Sequence, residues 1–415
     1  MTRPEPWLVS YGLLGLTQSG LVPVLMPLAA PHGTAAGLTF AAFSLSGIFA
    51  PFLGSWADRT GRHRDLLVWG TLGAGLLLVL FAAAALPLRV LLAAGAGLGA
   101  MAATSAGNVV AIQGMPEAEW ESRVALLQRF TSAGQVIGLI AAGLLAQRHP
   151  SEGFVFAGVT LLAASALAFA SAPSRSTHSP AAAPPPTPIL VGNAGIPEPH
   201  RHRHHLSWSG LSASLTVIDR PMRRFLLIWL IGYSAMNGFA ALFPVAMIRQ
   251  YGMDPILPSG SYALGVGFSL AIYSLVGAAT HRLGGARMLM RGFAARLALL
   301  AVLAGLGLSH AVGIGWLVLF GFALVQFVWP LIAVSANSLS VRLAPTARGA
   351  SVGLFNAATA LASAIGSALA GMVYDAGGFA LLAGAAGVTV AASLLVGEFW
   401  LWQPLNRTRD QRSKT

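Results

Sequence analysis

The chain has 415 residues, of which 55% are hydrophobic and 9% charged, and its mean hydropathy is +0.70. A soluble domain carries about 25% charged residues, so a water-soluble fold is excluded, and the net charge of +12 reads as membrane topology rather than nucleic-acid binding. The absence of cysteine excludes disulfides and thiolate metal sites.

Apolar runs of roughly 20 residues, the length that crosses a ~30 Å hydrocarbon layer, recur along the whole chain. They are continuous and rich in Leu, Ala and Gly, unlike the ~10-residue alternating strands of a membrane barrel. The predicted class is therefore all-α integral membrane, with twelve transmembrane helices in two pseudo-symmetric six-helix bundles. The first six spans are predicted over Trp7–Ala29, Leu38–Ala57, Leu66–Leu86, Leu88–Met115, Ser122–Ala146 and Gly153–Ala172. The last six are predicted over Phe225–Ile248, Ser259–Ala279, Met288–Leu308, Val312–Leu339, Gly349–Tyr374 and Phe379–Trp402. The first run is too long for the apolar region of a cleavable signal peptide.

This divides the chain into an N-terminal bundle (1–172), a flexible linker (173–221), a C-terminal bundle (222–404) and a tail (405–415). The linker holds Pro184-Pro185-Pro186 and the run His200-Arg-His-Arg203-His204-His205, too polar to bury a core of its own. Its histidines are read as a solvated run, since the interleaved arginines repel a cation. Of the 25 basic residues, Arg89, Arg148 and Arg249 fall on the loops opposite the termini, and Arg129 and Arg296 lie inside spans. All the others share a side with the termini, which predicts cytoplasmic termini and linker.

Charge is concentrated between spans two and three, in Gly54-Ser-Trp-Ala-Asp58-Arg59-Thr-Gly61-Arg62-His-Arg64. A weaker copy, Gly277-Ala-Ala-Thr-His281-Arg282-Leu-Gly284-Gly-Ala-Arg287, stands between spans eight and nine. Pro23-Val-Leu-Met26 in span one likewise returns as Pro244-Val-Ala-Met247 in span seven. Two matches at nearly the same spacing argue for a duplicated six-helix unit, an architecture that places a site at the repeat interface near the bilayer midplane.

The Gly54–Arg64 loop, in its place between spans two and three, resembles the signature loop of the major facilitator superfamily. The six-plus-six layout, the central linker and Arg348-Gly349 opening span eleven agree with it, and the resemblance covers essentially the whole chain. It implies secondary transport by alternating access. In the implied gate Asp58 holds the halves together through the start of span eleven, with Arg348 as its partner and Gly54, Arg59, Gly61 and Arg62 completing the loop. His281 stands where the second copy would carry an acid, so the lock is expected to be asymmetric.

The resemblance also implies that spans one, four, seven and ten line the cavity. Their polar residues give a candidate substrate-binding set of Gln18, Asn108, Tyr233, Asn237, Gln326 and Trp329, for which the plain alternative is interhelical hydrogen bonding. Arg129, two turns into span five, is added as an anchor for an anionic substrate, against pairing with Glu117, Glu119 or Glu121 or snorkelling to the surface. Arg296 lies equally deep in span nine. Spans one, four, seven and ten contain no Asp or Glu, which weakens carboxylate-based proton antiport.

The functional expectation is a transporter of a small organic solute, with export favoured by resemblance to bacterial efflux-type members. The alternative is an importer or facilitator of a neutral or anionic metabolite. No His cluster, paired carboxylates or nucleophile motif points to an enzyme. The expected partners are the solute, the lipid bilayer and protons or another coupling ion, with no nucleic acid, cofactor or metal, in a monomer of a bacterial inner membrane.

Overall fold

The structure, a computed structural model, describes residues 5–49, 52–53, 56–57, 60–112, 120–172, 219–309, 313–343 and 348–402. Before residue 173 the helices are α1 (Leu8–Leu28), α2 (Gly33–Leu45, tightening to a 3₁₀ turn through Phe49), α3 (His63–Ala83), α4 (Leu86–Ile112), α5 (Trp120–Arg148) and α6 (Pro150–Ser171). After residue 218 they are α7 (Arg220–Arg249), α8 (Ile256–Leu283), α9 (Gly285–Leu308) and α10 (Ile314–Phe327 with Trp329–Arg342). The last long helix, Arg348–Gly397, loses helical geometry at Gly377 and Gly378 and is therefore two rods, α11 (348–376) and α12 (379–397). Ten of the stretches are long and apolar enough to cross a membrane when α11 and α12 are taken together. Gly33–Phe49 is the shorter apolar helix beside them, so the described residues agree with twelve crossings.

The duplicated pattern is visible as packing. Gly134 of α5 lies so close to α1 that a Cβ would fall 1.9 Å from the carbonyl oxygen of Gly12, and Gly366 of α11 would meet that of Ser234 in α7 at 2.0 Å. The same backbone-to-backbone seam thus forms once in each half, where only a residue without Cβ fits. A Trp-x-x-x-Tyr pair repeats with it. Trp7 and Tyr11 of α1 meet edge to face at 5.9 Å, and Trp229 and Tyr233 of α7 stack at 4.9 Å.

The ends of the rods define two faces. The near face carries the start of α1 and the α2–α3 turn; the far face carries the α1–α2, α7–α8 and α11–α12 turns. At the near face Gly61 has a φ of +66° and Arg62 N–H donates back to the Ala57 carbonyl at 3.2 Å. This left-handed glycine and six-to-one bond make the tight turn that leads into α3.

Three sets of hydrogen bonds join the two halves at the far face. Asp375, at the end of α11, accepts from the N–H groups of Gly33 and Thr34 at 2.7 Å each and from the Thr34 hydroxyl at 2.6 Å. A carboxylate there satisfies the open donors at the start of α2 and complements its dipole. His32 adds a local cap, its Nδ1 accepting from Ala35 N–H at 3.2 Å. These caps explain why α2 starts five residues before the predicted Leu38. Arg249, at the end of α7, donates to the carbonyls of Leu28 and Pro31 at 3.4 and 3.2 Å and to that of Ala30. Gln147 at the end of α5 donates to Asp254 in the α7–α8 turn. Close packing accompanies the bonds, for a Cβ on Gly371 would stand 2.3 Å from the Gly33 carbonyl oxygen.

Candidate functional site

The site is built where two helices depart from regular geometry halfway through their length. In α1, Leu16–Leu21 is a π-helical turn just before Pro23, and such wide turns recur at functional sites. In α10 the helix breaks at Val328, because Pro330 cannot donate a backbone bond to the preceding turn. Broken helices of this kind mark binding sites in transporter folds. Gln326 and Trp329 flank the break. Gly265 of α8 lets α10 come close there, since its Cβ would lie 2.7 Å from that of Gln326.

A cavity of about 300 Å³ lies at this level. Ser19 of α1 and Ser132 and Gln135 of α5 form its wall on one side. Opposite stand Tyr233, Met236, Asn237 and Ala240 of α7, a helical stripe, and Tyr262, Val266, Ser269, Leu270 and Tyr273 of α8. Arg296 of α9 with Gln326 and Trp329 of α10 complete it. Its walls therefore come mainly from the C-terminal half, and they include serines, amides, tyrosines and one guanidinium.

An aromatic column fixes the α7 wall. Phe225 stacks on Phe355 at 5.8 Å, Phe355 meets Trp229 at 5.0 Å, Trp229 stacks on Tyr233, and Tyr233 reaches Trp329 at 5.8 Å. The Trp229 indole N–H is held by Thr359 Oγ1 at 2.8 Å. Asn237 donates to Ser367 Oγ of α11 at 3.4 Å, which ties the α7 stripe to the helix that carries Asp375.

Arg296 is the electrostatic centre. It is 3% exposed, its Cζ stands 5.4 Å over the Trp329 ring, and its Nε has no hydrogen-bond partner. Gln326 is 6% exposed and its Nε2 also has no partner. Two buried donors thus line the same cavity, and among the described residues its walls contain no carboxylate.

Of the residues predicted from sequence, Tyr233, Asn237, Gln326 and Trp329 come together around this cavity. Gln18 does not line it; its amide oxygen accepts from Thr104 at 2.9 Å and its nitrogen faces the Met101 sulfur at 3.9 Å. Asn108 belongs to α4, but its side chain is outside the described residues. Arg129 is exposed and is not among the cavity's walls, although it stands one helical turn before Ser132 on α5.

The deep arginine at the cavity is Arg296. Span eight was also passed over by the sequence reading. Tyr262, Val266, Ser269 and Tyr273 fall at i, i+4, i+7 and i+11, one continuous face of a helix, and that stripe was the available signal.

Of the expected gate, Gly54, Asp58 and Arg59 lie outside the described residues, as does the side chain of Arg348 at the start of α11. Gly61 supplies the turn. Arg62 pairs with Asp65 at 2.9 Å and lies over Trp56 at 6.0 Å.

The family model of the Major Facilitator Superfamily matches residues 7–346. No protein of curated function matches the sequence. Among solved structures, the nucleoside transporter NupG is similar with a TM-score of 0.70 at 13% identity, covering 95% of this chain and 96% of its own. A D-xylose–proton symporter gives 0.68 at 13% identity, covering 95% and 96%. A POT family transporter bound to a thioalcohol-conjugated peptide gives 0.71 at 12% identity, covering 94% of each chain. At these identities the likeness shows the fold. With the family match spanning most of the sequence and the fold shared with transporters of that family, the chain belongs to the major facilitator superfamily, an integral membrane transporter and not an enzyme.

Proposed function

We propose that the protein exports a small organic solute by rocker-switch alternating access, with the near face and both termini in the cytoplasm and Tyr233, Asn237, Gln326 and Trp329 as substrate contacts. The observation that carries this reading is the mid-membrane cavity walled by both halves beneath a far face sealed by Asp375, Arg249 and Gln147. A seal made of helix caps between halves can open as the halves rock, without unfolding either. The distribution of basic residues supports the orientation. Two of the three basic residues on the opposite loops have structural tasks there: Arg89 donates to the Ala29 carbonyl at 2.8 Å, and Arg249 caps the same helix end.

Sealed at the far face, the cavity is placed to load from the cytoplasm. The Asp58–Arg348 pair would close the near face in the opposite state. The experiment is flux of radiolabelled sugars, nucleosides and organic acids into membrane vesicles of both orientations, against vesicles lacking the protein. Export predicts protein-dependent uptake into inverted vesicles. Uptake confined to right-side-out vesicles would overturn the direction.

A further inference from the structure

We infer that the cavity takes a small, flat organic anion, held by Arg296 through its charge and by tyrosine and tryptophan faces through its ring. This rests on the reading of the cavity as the transport site and adds the class of solute.

Burying a guanidinium is costly. A cation taken out of water must be paired, and an unpaired one in a protein interior is strongly unfavourable. Arg296 has the Trp329 ring beneath it at 5.4 Å, a contact far weaker than the hydration it replaces. Among the described residues, neither an aspartate nor a glutamate is in the cavity's walls. A structural arginine would be expected to meet a carboxylate or a set of backbone carbonyls, as Arg249 does at the far face. Arg296 instead keeps its Nε without a partner, in the wall that also holds the partnerless Nε2 of Gln326. Both groups donate and neither can accept at those atoms. They suit an acceptor that arrives with the solute, and a planar carboxylate or sulfonate fits a guanidinium fork best.

The rest of the wall sets the shape. Tyr233, Tyr262, Tyr273 and Trp329 present aromatic surface around the arginine, and flat rings are the solute surface they complement. A volume of about 300 Å³ is at the small end for ligand sites, which excludes bulky amphiphiles.

The charge also bears on direction. A carrier that moves one anion per cycle is driven outward by an inside-negative potential, by roughly fiftyfold in concentration ratio per 100 mV.

The test uses the full-length protein in proteoliposomes and three flat probes of similar size: benzenesulfonate (a permanent anion), benzenesulfonamide (neutral) and benzyltrimethylammonium (a cation). Binding is read by tryptophan fluorescence and thermal shift, and flux under an imposed potassium diffusion potential. The expected result is saturable binding and flux of benzenesulfonate alone, driven toward the positive side. Arg296→Gln should weaken binding by about tenfold or more, and Arg296→Lys less. Should Arg296→Gln fail to fold, the probe series on the unaltered protein still decides.

Flux of the neutral or cationic probe without the anion would overturn the charge assignment and leave the transport reading standing. Binding of benzenesulfonate without flux would overturn the transport reading and leave the anion site. Chloride competing at equal concentration would overturn the organic half, and no binding of any probe would overturn the site.

Discussion

Single side chains at the far face do work that their own helices cannot do. Asp375 caps α2 across 342 residues of sequence, so its removal should loosen the seal and leave both halves folded. An aspartate cap replaced by alanine costs about 0.5–2 kcal/mol, and the upper part of that range shifts a two-state balance by roughly 5- to 30-fold. Asp375→Ala should therefore raise the accessibility of a cysteine introduced at the far face to a polar thiol reagent while the melting temperature changes little.

Asp254 gives the seal a pH dependence. The Gln147 amide, and then the Ile256 N–H at 3.0 Å, hold its carboxyl below the usual aspartate range. A lowered value means that the contribution is complete above the ordinary aspartate pKa of about 3.9 and is lost as pH falls through the folded value. Far-face accessibility should rise below about pH 4, and Asp254→Asn should shrink that acid step to the part contributed by Asp375. Against the upward pull of burial, the Thr34 and Gly33 donors also hold the Asp375 carboxyl below the usual range. An unchanged acid step in Asp254→Asn would assign it to another group.

At the scale of helices, the glycines separate into two kinds. Gly134 and Gly366 close seams inside a half, whereas Gly143 meets Ile256 of α8 (its Cβ would stand 2.8 Å from the Ile256 Cα) and Gly371 meets Gly33 between halves. Only the second kind lies on the surface that must part as the halves rock. Gly366→Val would force α7 from α11 and should lower the melting temperature sharply, since overpacking costs about 1–3 kcal/mol or more. Gly384 of α12 has no atom within 4 Å of its Cβ position, so Gly384→Ala should raise it, by the ~1 kcal/mol difference in helix propensity. Equal melting temperatures for the two variants would refute the seam. The break in α10 is open to the same treatment. Pro330→Ala restores a backbone donor, and it should stiffen the helix while displacing Gln326 and Trp329 and slowing transport.

Over the whole molecule, the fold was legible because membrane spans are written in composition. Twenty apolar residues in a row have few other uses, and the Pro23 and Pro244 segments disclosed the duplication. Part of the cavity was legible too, because polar residues on buried helices are expensive and therefore informative. Tyr233, Asn237, Gln326 and Trp329 were found by that logic. What stayed hidden depends on three-dimensional neighbours. Arg129 and Arg296 lie at similar depths in their spans, and only packing reveals that Arg129 is exposed while Arg296 is buried in the cavity wall. Asp375 acquires its role only from α2 lying beside it.

The central claim is that the two halves part at the far face around this cavity, and it can be tested without knowing the solute. The chain has no native cysteine, so nitroxide labels can be placed at Ser151→Cys and Leu308→Cys, exposed positions at the far ends of α6 and α9. Their distance distribution is then measured in nanodiscs by pulsed electron resonance. The account predicts a dominant short population and a minor longer one, with the longer one gaining when Asp375→Ala and Arg249→Gln are introduced together. A single distance that the double substitution leaves unmoved would contradict it.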